Sequence, residues 1–347
     1  MPLQFIRKAL AILLLAPGAA VFAAAPYPNT SHFGVPFSED EAWHRQCRRV
    51  EQRAAPGYQA PGNGAAAQCD AGALYYAKRG QAETSAAEWS QVRACALARG
   101  DHAVLAMLYA NGFGVERDLD VAMYHACSME HVAKAEMEGR IAHLAAMQLE
   151  SEVFDQCDDI TSGAMGTVCA GIRETQDDRV REARLDRMAR SLPGAARARF
   201  GALRTAAERY VEASAGERDM HGTGAPGFVL AHQGRLREQF MQAAMDAAGG
   251  RLPRATPAQV RQLDRELNRV YREVMALPSK QDNWPDRIGD STISRADIRT
   301  AERRWIAYRD AFTAFAAQLG KGADGNAARA LLTRQRIAAL RRLASYR

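Results

Sequence analysis

From residue 69 onward the apolar positions recur at steps of three and four, the spacing of one helical face, and no stretch alternates apolar and polar residues long enough to make a strand. The clearest stripe runs Ile298, Ala301, Trp305, Tyr308, Phe312, Phe315 and Leu319, opened by Ser294-Arg295-Ala296-Asp297 and closed by Gly320. Val260, Leu263, Leu267, Val270, Val274 and Leu277 form another, opened by the capping box Thr256-Pro257-Ala258-Gln259 and ended by Pro278. A last helix is expected over about Asn326–Ser345, with Leu331, Ile337, Leu340 and Leu343 inside and Arg329, Arg334, Arg336, Arg341, Arg342 and Arg347 around it. The pattern predicts an all-α protein. Only residues 26–68 break it: this Pro-, Gly- and Ala-rich lead-in carries one helical patch near Glu39–Arg53 and the turn sequence Pro61-Gly62-Asn63-Gly64.

The first 25 residues have a different grammar. Arg7 and Lys8 precede an apolar run from Ala9 to Phe22, and small residues follow at Ala23, Ala24 and Ala25. That is the n-, h- and c-region order of a cleavable signal peptide, with an apolar run too short for a stable membrane span. No cysteine stands near the cleavage site to take a lipid, and no later run is long enough to cross a bilayer. A periplasmic or secreted protein without an integral membrane segment is expected. In that compartment the six cysteines, Cys47, Cys69, Cys95, Cys127, Cys157 and Cys169, read as disulfides, although six allow fifteen pairings.

Between residues 69 and 150, small residues recur in short helix pairs. Tyr109, Gly112, Gly114, Val115, Asp118 and Ala122 stand at the spacing Tyr-x-x-Gly-x-Gly-Val-x-x-Asp-x-x-x-Ala. This turn resembles that of SEL-one-like repeats, relatives of the tetratricopeptide unit. A degraded copy precedes it at Leu74-Tyr75-Tyr76, Gly80, Ala86, Trp89 and Cys95, and a third begins near Ala135. Cysteine-rich members pair cysteines seven apart, and here His102 and Lys134 stand where the partners of Cys95 and Cys127 would be.

A second repeat covers the rest of the chain. Leu203–Val211 aligns with Ile298–Ile306 at an offset of 95, and Leu185-Asp186-Arg187 with Leu263-Asp264-Arg265. Two related halves, about 154–249 and 254–347, are expected, with Tyr210 and Trp305 in equivalent buried positions. The string Asp264-x-x-Leu267-Asn268-x-x-Tyr271, then Trp305-x-x-Tyr308-Arg309-Asp310, then Thr333-x-x-Arg336-x-x-x-Leu340, resembles the lysozyme-inhibitor LprI-like family over residues 154–347. Cys157 and Cys169 resemble the paired cysteines that open that domain, which implies a Cys157–Cys169 bridge. Phe312 stands where many members carry a further cysteine. Cys47–Cys69 is expected as a second bridge.

No catalytic, cofactor or metal constellation emerges. Among the five lysines none completes Ser-x-x-Lys, no serine sits in Gly-x-Ser-x-Gly, and the eight histidines contain no His-Glu-x-x-His. His125, His131 and His143 do not share one helical face. Gly222-Thr223-Gly224-Ala225-Pro226-Gly227 spells a dinucleotide fingerprint without the preceding strand that such a motif needs, and reads as an interhelical loop. Arginines interleaved with Glu and Asp give no nucleic-acid pattern.

Three classes remain: an inhibitor of, or immunity protein against, a cell-wall lytic enzyme, as the resemblance implies; a periplasmic helical-repeat scaffold or adaptor; and, least supported, an envelope enzyme. Charge refines the first. The chain carries +6, and +4 once Arg7 and Lys8 are removed with the leader. A partner for strongly basic lysozymes would more naturally be acidic, so the expected protein partner is a neutral or acidic peptidoglycan hydrolase or toxin, reached by arginines. Arg309, beside Asp310, is expected in an internal ion pair.

Overall fold

The computed structural model describes residues 26–59, 68–147, 152–320 and 325–346. The leader at residues 1–25, the turn at 61–64 and Arg347 lie outside them. Among the described residues there are twelve α-helices and no strand: α1 (Ala42–Arg49), α2 (Ala71–Arg79), α3 (Ala86–Arg99), α4 (His102–Asn111), α5 (Leu119–Cys127), α6 (Lys134–Ala146), α7 (Gly163–Ser191), α8 (Gly194–Ala213), α9 (Ala225–Ala248), α10 (Pro257–Met275), α11 (Arg295–Ala316) and α12 (Gly325–Leu343). The capping signals read in the sequence work as written. Thr256 accepts from the Gln259 amide to start α10, and Ser294 from the Asp297 amide to start α11.

Two large hydrophobic cores form among the described residues, with a small satellite of Ala255, Val260 and Ala330. The first gathers α1–α6 around Leu105, Met107, Leu108, Met123 and Met137. The lead-in belongs to it, because Trp43, Cys47 and Val50 share one face of the α1 region and are buried there with Phe33 and Ala55. In the α4–α5 turn, Gly112 and Gly114 both adopt φ of +68, a left-handed conformation that a side chain would strain. A Cβ at Gly114 would also lie 2.2 Å from that of Trp89. Asp118 closes the turn, donating its amide to the Tyr109 carbonyl at 3.0 Å and capping α5 through the Asp120 and Val121 amides.

Three disulfides brace this architecture. Cys157–Cys169 ties the start of α7 to the preceding segment. The pairing Cys47–Cys69 is not formed: Cys47 bridges to Cys127 and Cys69 to Cys95. The reason is burial of the α1 face, which brings Cys47 against α5, while Cys69 immediately precedes α2, the partner of α3. Spacing along the chain carries none of that information.

Helix α7, 29 residues and about 43 Å long, leads from the first core to the second. Ile172 packs against the first core and Leu185 is buried in the second. In the second core α7 packs on α9, α10 on α12, and α8 on α11. The three-helix sets α7–α9 and α10–α12 thus meet through their middle helices. These run antiparallel, with Gly216 beside Asp297, Tyr210 stacked on Tyr308, and Phe200 against Phe315. Tyr210 and Trp305 are both buried.

The Gly222–Gly227 stretch is interhelical loop in its first half, as expected, and helix in its second: Gly222–Gly224 form the turn that leads into α9, and Ala225–Gly227 begin the helix. Pro226 occupies the first turn of α9, and the glycines let α9 lie directly on α7. A Cβ at Gly163 would fall 2.4 Å from the Gly224 amide nitrogen.

Candidate functional site

Most residues of the resemblance string fall into three environments. Asp264 on α10, Arg309 on α11 and Arg329 on α12 form an ion cluster, with Arg329 Nη2 2.8 Å and Arg309 Nη1 3.6 Å from the Asp264 carboxylate. Arg309 also reaches Asp310 at 3.1 Å and lies over the Trp305 ring, its guanidinium carbon 5.0 Å from the centroid. Arg309 is therefore held inside the protein, as its neighbour Asp310 suggested. Trp305, Tyr308, Leu267 and Leu340 form the second environment, the core itself. Asn268 stands exposed and Tyr271 half-buried.

Arg336 makes the third environment and corrects the picture of six arginines around α12. It is fully buried. Nη1 and Nη2 donate to the two carboxylate oxygens of Glu217 at 2.8 and 2.6 Å, and Nε donates to Glu302 at 2.8 Å. A guanidinium can be buried there because the donor edges of its planar fork meet carboxylates. Those carboxylates hold its pKa well above the usual arginine value in spite of desolvation. The Tyr210 ring lies 5.8 Å from its guanidinium carbon. The missed signal was acidic: Glu302 sits within the α11 stripe, but nothing local marks Glu217 as its companion.

A cleft of 540 Å³ opens between α7, α8 and α9. Its charges are paired: Arg181 with Glu174 at 2.6 Å and Asp178 at 3.2 Å, Arg204 with Glu182 and with Asp186 outside the lining, and Arg237 with Glu174 at 2.9 Å and with Glu208. Such a lining fixes helices against one another and leaves no isolated acid or base for catalysis.

The histidines separate as well. His143 pairs with Asp159 at 3.0 Å, while His131 is exposed and packs on His32. His125 joins His102, with Nδ1 atoms 2.8 Å apart. His125 Nε2 accepts the Ala55 amide at 3.2 Å, so its proton sits on Nδ1 and is donated to His102. His102 then carries its proton on Nε2, 3.0 Å from the Tyr58 hydroxyl. Burial pushes the pKa of His102 down to about 4 and, with His102 beside it, that of His125 down to about 3. Among the described residues no group of three or more His, Cys, Asp or Glu is placed to hold a metal ion. No described helix is long and apolar enough to cross a membrane.

The family model "Lysozyme inhibitor LprI" matches residues 247–340, well under half of the chain. The match spans α10, α11 and most of α12, with the Asp264 cluster, Trp305 and Arg336 inside it. No curated protein matches the chain, and no solved structure does.

Proposed function

We propose that this chain is an exported, non-enzymatic binding protein that inhibits a cell-wall lytic enzyme, as self-protection or as immunity to a rival's toxin. The observation that carries the reading is the lysozyme-inhibitor match over residues 247–340. Three disulfides fit an oxidising compartment, and residues 1–25 have the order of a cleavable leader. The charged residues of the resemblance string are engaged in ion pairs within the protein, mostly between helices, so contact with a partner falls to the outer surfaces that this scaffold presents. Residues 69–150 are read as SEL-one-like repeats and residues 154–347 as an LprI-like module of two related halves.

One observation favours a second reading, a periplasmic scaffold or adaptor: the helical hairpins α2–α3 and α4–α5 precede the matched stretch and present a stacked-helix surface of their own. The two readings part in a peptidoglycan-clearing assay. An inhibitor slows a purified bacterial hydrolase in proportion to the amount of mature protein added. An adaptor leaves the rate unchanged and co-purifies with envelope proteins.

A further inference from the structure

The offset of 95 that relates the two halves carries Arg209 onto Arg304. Because α8 and α11 run antiparallel, the duplication sets these equivalent arginines across from each other, and both line one cleft of 270 Å³ on the outside of the helix pair. Its floor is small: Ala202, Ala206 and Ala307, with Thr205 beside them. Both arginines are exposed, and neither makes a hydrogen bond or ion pair with a described residue. Their neighbours behave differently. Arg204, just over a turn back along α8, takes Glu182 and Asp186, and Arg309 takes Asp264 and Asp310.

The carboxylates within a turn of the pair do not answer it. Glu208 is turned to Arg237, and Glu302 is directed to Arg336. Glu212, one turn beyond Arg209, is exposed and makes no hydrogen bond or ion pair with it. Two like charges facing one cleft repel, and an anion placed between them removes that repulsion while gaining two forked donors. Alanines let a third segment approach the helices closely.

We propose that the cleft between α8 and α11 docks an acidic segment of a protein partner, whose carboxylates are received by Arg209 and Arg304. This deepens the inhibitor reading, on which it rests for the partner being a protein, by naming the contact surface and the partner's charge.

The test is a fluorescence-polarisation titration of the full mature chain with a labelled helical peptide of alanine bearing glutamates at every third and fourth position. A glutamine counterpart and phosphatidylglycerol vesicles serve as comparisons. The glutamate peptide binds, the glutamine peptide binds about tenfold or more weakly, and added salt weakens the complex. The double variants R209E/R304E and R209Q/R304Q, each checked by circular dichroism for an unchanged helical fold, both lose the peptide. Retained affinity in both variants overturns the proposal, as does binding to vesicles without binding to the peptide. If the variants lose the peptide but the wild-type chain inhibits no lytic enzyme, the surface stands and the inhibitor reading falls. If inhibition occurs without peptide binding and persists in both variants, the surface falls and the inhibitor reading stands.

Discussion

Arg336 and Glu217, 119 residues apart in the chain, form a bidentate ion pair at 2.8 and 2.6 Å in which the arginine is wholly buried. The pair joins α12 of the second three-helix set to the turn that follows α8 of the first, while Glu302 holds the same guanidinium from α11. Removing one partner of a buried pair strands the other charge. Arg336→Met is expected to cost about 3–5 kcal/mol in urea unfolding, and Glu302→Gln, at the half-open edge of the cluster, distinctly less.

Trp305 is 2% exposed, in the second core. Trp305→Ala is expected to lose about 3–5 kcal/mol through the cavity it leaves. Tyr210→Phe keeps the ring that stacks on Tyr308 and should cost far less. Equal losses from the two would show that ring packing is not what holds this core.

The His102–His125 pair makes stability depend on acid. Both groups ordinarily titrate near 6.5, and in the folded protein they are lowered to about 4 and about 3. The unfolded chain therefore takes protons first. Stability is complete above about pH 6.5 and falls as pH drops toward the folded values, by up to about 1.4 kcal/mol per pH unit for each histidine. His232, lowered to about 4 chiefly by burial, adds a slope of the same sign. The comparison that isolates the pair is the melting temperature of wild type and H102Q/H125Q between neutral pH and pH 4.5. The variant starts lower and declines less steeply.

Cys47–Cys127 closes a span of 80 residues and Cys157–Cys169 one of 12. Chain entropy assigns about 4–5 kcal/mol to the first and about 3 kcal/mol to the second. Non-reducing peptide mapping should return Cys47–Cys127, Cys69–Cys95 and Cys157–Cys169, and C47A/C127A should unfold at lower denaturant than C157A/C169A. A Cys47–Cys69 peptide would contradict the packing of α1 against α5.

The helices, their caps and the α10 and α11 stripes were legible because each is a local rule: Thr256, Ser294 and the run from Ile298 to Phe315 act within a few residues of themselves. The duplication was legible too: Tyr210 and Trp305, which it aligns, are both buried in the second core. Pairings that depend on helices distant in sequence were not. Cys47 with Cys127, Arg336 with Glu217, and His102 with His125 are set by which faces meet, and no local spacing encodes that. The glycines of 222–227 spelled a nucleotide motif while serving close contact between α7 and α9, a role that only the partner helix reveals. Arg209 and Arg304 lay in register within the repeat alignment, but their meeting required the antiparallel arrangement of α8 and α11.

The inhibitor reading is tested most directly by titrating the purified mature protein, at low and at raised salt, against an acidic bacterial peptidoglycan hydrolase and a basic lysozyme. Stoichiometric inhibition of the acidic enzyme that weakens as salt screens the arginines is expected, with weak binding to the basic enzyme that strengthens as salt screens repulsion. Tight inhibition of the basic lysozyme that fades with added salt would contradict the partner assignment. No inhibition of any lytic enzyme at any salt would contradict the function.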